Sequence, residues 1–450
     1  MARDVDVLVI GAGLSGLATA LGAKQRGASI EVLEAALRPG GSIGTIHRDG
    51  ALYETGPNSA LDTTPLIAAL LDATGSRGER VEPSVAAATR YIVRDGKLVP
   101  LPGSPGAMLG TRVFSLRAKL RLAAEPFVAR ASPGSEESVA AFVRRRLGTE
   151  FLDYAVDPFV AGIYAGDPER LSLPAAFPRL HALEQRYGSL IRGQIQGARE
   201  RKRSFSFRNG MQTLTDALAR TVGRVETRVR VERVERDADG TWIVTGTREG
   251  EAIVRRARAA VVAVPAREAS ALVRELAPAA AQGLAAIEYA AVASVATLYR
   301  REDVADPLAG FGFLVPRKEK REILGSLFSS SMFEHRAPPG TVLLTTFVGG
   351  MRNPDLPRRP DDEIAAIVGR ELRELAGARA DPLWSAITRW PHAIPQYDLG
   401  HLERLRRVDD AERSHPGLFF CANYRGGISV GDCIKSADAI ASAVAASLGR

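Results

Sequence analysis

Hydrophobic and polar positions change their rhythm several times along this 450-residue chain. The run VDVLVI, from Val5 to Ile10, is short, apolar and rich in β-branched residues, as a buried parallel strand should be. LATALGAKQRG then has helical spacing, with Gly27 placed to cap its end. SIEVLEA returns to strand and stops at Glu34, completing a βαβ unit. From about 100 to about 200, arginine and alanine recur with helical spacing, as in SLRAKLRLAAEPFVARA and SVAAFVRRRLG, and predict a mostly helical insertion. SFSFRNGMQTLTDALARTV reads as a turn and a helix. RVRVERVER and TWIVTG alternate around DADG and predict a β-hairpin. RAAVVAVPA is a further buried strand. ASVATLY, EILGSLF and TVLLTTFVGG then suggest a sheet between about 285 and 350. The chain ends as it began, with strand, glycine turn and helix in GLFFCANYRGGISVGDCIKSADAIASAVAASL.

The first glycine turn, GAGLSG, has the spacing of a dinucleotide fingerprint. Gly11 allows the tight turn, Gly13 lets backbone approach a pyrophosphate, and Gly16 lets helix and strand pack closely. Ala12, Leu14 and Ser15 complete a loop whose helix N-terminus faces the phosphates. Glu34 closes the second strand, where a carboxylate can accept from ribose hydroxyls. The turn RGGISV, more than 400 residues later, repeats the same grammar.

After Glu34 and Ala35 come Arg38, Gly40, Gly41 and Ser42. This E-x-x-x-R-x-G-G extension resembles the FAD-containing amine oxidase and protoporphyrinogen oxidase superfamily. The resemblance implies that Arg38 holds a second face of the pyrophosphate. The family often has an arginine where Ser42 stands. YETGPNS resembles the family's flavin-proximal segment, with Gly56, Pro57, Asn58 and Ser59 near the isoalloxazine. RVRVERV resembles the strand whose backbone contacts adenine, at Val231, and VVAVPA the crossing into a substrate domain. The implied cofactor is non-covalent FAD. Gly427, Ile428, Ser429 and Val430 would bring a helix N-terminus against the flavin ring, where its free N–H groups stabilise charge at N1 and the C2 carbonyl.

Amine oxidases of this superfamily place a lysine near flavin N5 from a central strand. No lysine lies between Lys202 and Lys318, the region holding the matching strand ASVATLYRR. RYIVRDGKLVPLP, DPFVAGIYAGDPERLSLPAAFPRL, GFGFLVP, SSSMFEHRAPPG, AIPQYDLGH and NYRGGISVGDCI instead resemble, in order, segments of the oxygen-dependent protoporphyrinogen oxidase family. The resemblance covers nearly the whole chain. It implies six-electron oxidation of protoporphyrinogen IX to protoporphyrin IX, with O2 as acceptor and H2O2 as product, in heme biosynthesis. Coproporphyrinogen III is the alternative substrate. An amine or amino-acid oxidase and a non-catalytic FAD- and porphyrin-binding protein are further alternatives. Arg90 would anchor a propionate, Phe311 would sandwich a pyrrole, and Gly162 would let the macrocycle pass close to backbone. No catalytic side chain is assigned, because the flavin carries the redox chemistry.

The expected architecture is therefore α/β combined with α+β. A discontinuous Rossmann-type FAD-binding domain takes 1–86, 204–266 and 405–450, and a mixed-sheet substrate domain takes 87–100 and 267–404. A helical insertion takes 101–203. The net charge of +8 fits either an arginine-rich solvated surface or attraction to an acidic ligand or anionic membrane. Nucleic acid is not expected, since ERKRSF near Lys202 is too short a basic run. Two cysteines, Cys421 and Cys433, form no disulfide framework and suit a reducing compartment. Six scattered histidines suggest no metal site. No apolar run reaches the ~18 residues of a membrane span, and a first strand beginning by Val5 leaves no room for a signal peptide. A cytoplasmic location is expected, with peripheral contact on the cytoplasmic membrane face through MLGTRVF and LRAKLRL. Porphyrinogen and O2 are the expected partners, and a homodimer stays open.

Overall fold

The computed structural model describes residues 4–132, 134–196 and 203–450, so the basic run at Lys202 lies largely outside the described residues. The Val5–Ile10 strand runs parallel to Ile30–Leu33 on one side and to the end of Glu251–Val262 on the other. Both of its faces are buried. Val7 and Val9 join one apolar core, and Leu8 and Ile10 join another, as a side-chain period of two requires, while Val5 at the strand's start joins the second core. Burial of each such side chain contributes roughly 1.5–3 kcal/mol. The first core is covered by the Leu14–Gln25, Gln212–Val222 and Val430–Ser447 helices. The second is covered by Ala266–Leu272, Pro278–Ala285 and His401–Ser414. Leu418–Phe420 lies parallel to the end of Glu251–Val262, pairing Ala260 with Leu418. Val225–Glu226 extends the sheet beyond Ile30–Leu33. Trp242–Arg248 and Val229–Arg236 extend it antiparallel from the start of Glu251–Val262. One seven-stranded sheet thus gathers strands from three distant parts of the chain.

This topology sets the two glycine turns side by side. The helices that follow them are packed together and run in the same direction. Arg26 pairs with Asp438 at 2.8 Å near one end, and a methyl group on Gly22 would sit 2.8 Å from the Ala441 side chain. Near the other end, the Cys433 thiol faces the Ser15 hydroxyl. Both N-termini therefore share the carboxyl end of the parallel strands, where open α/β sheets bind ligands.

A second seven-stranded sheet runs in the order Trp384–Pro395, Tyr289–Arg300, Thr341–Gly349, Ile323–Leu327, Gly312–Leu314, Arg90–Arg94, Lys97–Pro100. Its pairs are antiparallel except Gly312–Leu314 with Arg90–Arg94. Helices between Pro105–Gly110 and Leu190–Gln196 form the insertion. Its core holds Phe114 stacked on Phe151 at 4.1 Å, and also takes in Tyr397 and Ile428 from far along the chain. Asp157 pairs with the buried Arg352 at 2.7 Å, clamping the Asp157–Tyr164 helix to the second sheet. Among the described residues, no helix is long and apolar enough to cross a membrane.

Ser204–Phe207 is a strand, not the turn read from the sequence. It pairs with Ala60–Leu61 and Arg80–Val81, and Phe205 and Phe207 are fully buried. The hairpin of Thr45–Arg48 and Ala51–Glu54 also escaped the sequence reading, although Asp49-Gly50 is a strong hairpin signal.

Candidate cofactor and substrate site

Each fingerprint glycine has its own neighbour. Gly11 has φ +105°, and a methyl group there would lie 2.6 Å from the Ala263 carbonyl oxygen. A methyl on Gly16 would collide with the Gly11 carbonyl oxygen. A methyl on Gly13 would meet nothing within 4 Å, so this face of the loop opens outward. Gly13 caps the Leu14–Gln25 helix without a side-chain hydrogen bond, and the first turn holds no acidic residue. The helix end therefore keeps its donors and positive dipole for an anion. These features fit a dinucleotide pyrophosphate, with Ala12, Leu14 and Ser15 supplying the surrounding backbone.

The Glu34 carboxylate accepts from the Ala12 amide at 2.6 Å and the Ala36 amide at 2.8 Å. It holds the fingerprint loop, and its remaining lone pairs can still accept from ribose. Val229 donates to the Glu34 carbonyl at 2.8 Å, which brings Val231 to within two residues of this corner, at a local β-bulge. Ala35 is exposed there. Arg38 Nη1 donates to the Pro39 and Ile43 carbonyls at 3.0 and 2.8 Å. It stiffens the loop carrying Gly41 and Ser42, and Gly40 donates to the Ala12 carbonyl at 2.8 Å. A methyl on Gly56 would collide with the Ser42 carbonyl oxygen, so Gly56–Ser59 packs on the same loop. Pro57 and Ser59 are half-buried there, and Asn58 donates to the Gly56 carbonyl at 3.3 Å.

The second turn differs. Ser429 caps the Val430–Ser447 helix, accepting from the Asp432 amide at 3.1 Å. Its hydroxyl donates to the Asp432 carboxylate at 2.6 Å. The helix end expected to offer free donors thus has a side-chain cap and a carboxylate of its own. Gly427, at φ +115°, donates to the Tyr397 hydroxyl at 3.1 Å, and that hydroxyl donates to the Asn423 carbonyl at 2.6 Å. Ile428 packs into the helical insertion. His401 stacks on Tyr397 at 4.1 Å between centroids, and its Nε2 lies 2.9 Å from the Tyr424 carbonyl. Burial pushes the His401 imidazole down to about 4.

The three residues proposed for substrate converge on one strand pair. Arg90 pairs in register with Gly312, and its guanidinium lies 4.9 Å over the Phe311 ring. Arg90 is exposed and Phe311 half-buried. Phe311 is fixed by its amide, which donates to the Thr89 carbonyl at 2.7 Å. Gly162 meets the next part of that strand, where a methyl would lie 2.7 Å from Leu314 Cδ2. The space beside Gly162 is therefore filled by Leu314.

Sequence reasoning missed several supports. Glu54 is buried, accepts from Thr45 Oγ1 at 2.6 Å and the Met211 amide at 2.9 Å, and faces Arg336 at 3.6 Å. Burial pushes its carboxyl upward. Trp390 Nε1 donates to the Thr55 carbonyl at 2.6 Å, pinning the second sheet to the residue before Gly56. Neither pairing has a signal in a single sequence. Asp432 does, because Ser429-x-x-Asp432 is a capping-box pattern.

A family model described as flavin containing amine oxidoreductase matches residues 14–445. The chain is 36% identical to a chloroplastic protoporphyrinogen oxidase of Oryza sativa subsp. japonica, over 96% of this chain and 87% of that one. It is 28% identical to a coproporphyrinogen III oxidase of Bacillus subtilis (strain 168), over 97% of each. A solved structure from Exiguobacterium sp. 255-15 superposes with a TM-score of 0.85 over 100% of both chains at 24% identity. With a fingerprint loop that fits a dinucleotide and near full-length likeness, the chain belongs to the flavin-containing amine oxidoreductases and, within them, to the protoporphyrinogen oxidase family.

Proposed function

We propose that this FAD-dependent oxidoreductase oxidises protoporphyrinogen IX to protoporphyrin IX in heme biosynthesis. The substrate gives up six hydrogens, and three O2 become three H2O2. The observation that carries this reading is the Arg90–Phe311 pair, a carboxylate-binding fork held against an aromatic face. That combination suits a pyrrole ring bearing a propionate better than it suits a simple amine. FAD, when bound, supplies the two-electron acceptor and the link to O2. Gly11, Gly13 and Gly16 hold its pyrophosphate, Glu34 its ribose and the backbone at Val231 its adenine. Gly56–Ser59 and Gly427–Val430 flank its ring from opposite ends of the chain. Arg90 binds a propionate, Phe311 orients a pyrrole, and the Gly162–Leu314 contact walls the site. Three successive oxidations at one acceptor need positioning more than an acid–base pair.

Coproporphyrinogen III is the second reading, favoured by the likeness to the Bacillus subtilis protein. Initial rates on both porphyrinogens, followed by porphyrin fluorescence, decide between them. Faster oxidation of protoporphyrinogen IX is expected. Protein that carries FAD and oxidises neither overturns the reading.

The location proposed is cytoplasmic, with peripheral membrane contact. Support comes from exposed Leu109, Leu116, Leu120 and Phe127, interspersed with exposed Arg112 and Arg117 in the helical insertion. Sedimentation with anionic vesicles should carry the protein down, and Leu116→Ser with Leu120→Ser should release it.

A further inference from the structure

We propose that Asp432 sets the redox potential of the bound flavin, placing a fixed negative charge at the helix end beside its ring. The inference rests on the reading of Gly427–Val430 as a ring-side turn. Two helix N-termini meet at one end of the sheet, yet only one carries an acid in its first turn. That acid is held in place. Its carboxylate takes the Ser429 hydroxyl at 2.6 Å, and its amide is bound by the same oxygen at 3.1 Å. It also lies against the turn itself, since a methyl on Gly427 would come 2.6 Å from Asp432 Cγ.

Among the described residues no ion pair involves Asp432, although arginines pair with acids over much of the surface. The groups that feel its field are the Tyr164 and Tyr397 hydroxyls and the Cys433 thiol, and each is held further from ionising by it. A bare helix N-terminus carries about half a positive charge. A full carboxylate within the first turn cancels and outweighs that, so this helix end opposes new negative charge instead of attracting it. Accepting two electrons puts negative charge on the flavin pyrimidine. Asp432 therefore makes that acceptance less favourable and return of the electrons to O2 more favourable.

Sulfite tests this without porphyrinogen. Its sulfur lone pair forms a bond to flavin N5, and the displaced electron pair resides on the pyrimidine side as negative charge, so affinity tracks the local field. FAD-loaded protein is titrated with sulfite by absorbance, and its two-electron midpoint potential is measured with reference dyes. Asp432→Asn keeps the shape and the Ser429 contact. It should bind sulfite about tenfold more tightly and raise the potential by about 30 mV, the two-electron equivalent of tenfold. Asp432→Glu keeps the charge and should stay within about twofold of the parent. Asp432→Ser, also neutral, should follow the Asn variant and covers the case in which Asn does not fold. A purely structural role would move Glu and Asn alike. FAD-loaded neutral variants that stay within twofold of the parent overturn the proposal, as does loss of FAD from all three variants. Unmodified protein that holds no FAD overturns instead the cofactor reading beneath it.

Discussion

The two glycine turns look alike and are built for opposite tasks. The first has an uncapped helix, no acid in its first turn and an open face at Gly13. The second has a serine cap, an acid in its first turn and a carboxylate pressed against Gly427. One helix has no acid in its own first turn, as a phosphate site requires, and the Glu34 carboxylate is held at the Ala12 amide ahead of it. The other arrives already carrying an anion. A strand–glycine–helix pattern therefore announces a helix N-terminus near a ligand, and the residues three or four places on decide what that terminus does.

The comparison can be broken hardest at Gly16. Gly16→Ala drives a methyl into the Gly11 carbonyl within the fingerprint, and overpacking of this kind costs up to ~3 kcal/mol. FAD affinity should fall about 100-fold, read by flavin retained after dialysis. Arg90→Ala leaves both turns alone. It should raise KM for porphyrinogen about 30-fold, from ~2 kcal/mol of charge-assisted hydrogen bonding, with FAD content unchanged. Loss of FAD instead would mean that Arg90 serves the cofactor.

His401 sharpens the second turn through pH. Its folded pKa of about 4 lies below the ordinary 6.5, so the unfolded chain binds the proton more tightly. The stabilisation is complete above pH 6.5 and fades as pH falls toward 4. Between pH 7.5 and 5 the loss should be about 2 kcal/mol. The parent's Tm should drop further over that interval than that of His401→Gln, which keeps a donor for the Tyr424 carbonyl. Gly427→Ala, the smallest effect expected, sets a methyl at φ +115° against the Asp432 side chain. FAD affinity should weaken about tenfold through strain at positive φ. Adding Asp432→Ser should recover part of it, which a coupling cycle measures.

Much of the site was legible where its constraints are local. Gly11, Gly13, Gly16 and Glu34 act within one βαβ unit, and spacing alone reveals them. Arg90 and Phe311 were singled out through family resemblance, and the strand pairing that brings them together is invisible in sequence. The Arg38 Nη1 contacts with the Pro39 and Ile43 carbonyls leave no sign in the loop's own sequence. The contact of Gly162 with Leu314 is equally hidden, because the two lie far apart along the chain. The Ser204–Phe207 strand was hidden because its partners, Ala60–Leu61 and Arg80–Val81, are too short to stand out. Asp432 was on view, but Ser429 was read as part of a helix end with free N–H groups, and the cap it forms with the acid three places on was passed over.

The most direct measurement of the central claim mixes purified FAD-loaded protein with protoporphyrinogen IX in air-saturated buffer. Porphyrin fluorescence, O2 uptake and H2O2 are followed together. The expected result is one porphyrin formed for every three O2 consumed and three H2O2 released. Protein that retains FAD yet forms porphyrin no faster than the spontaneous oxidation would contradict it.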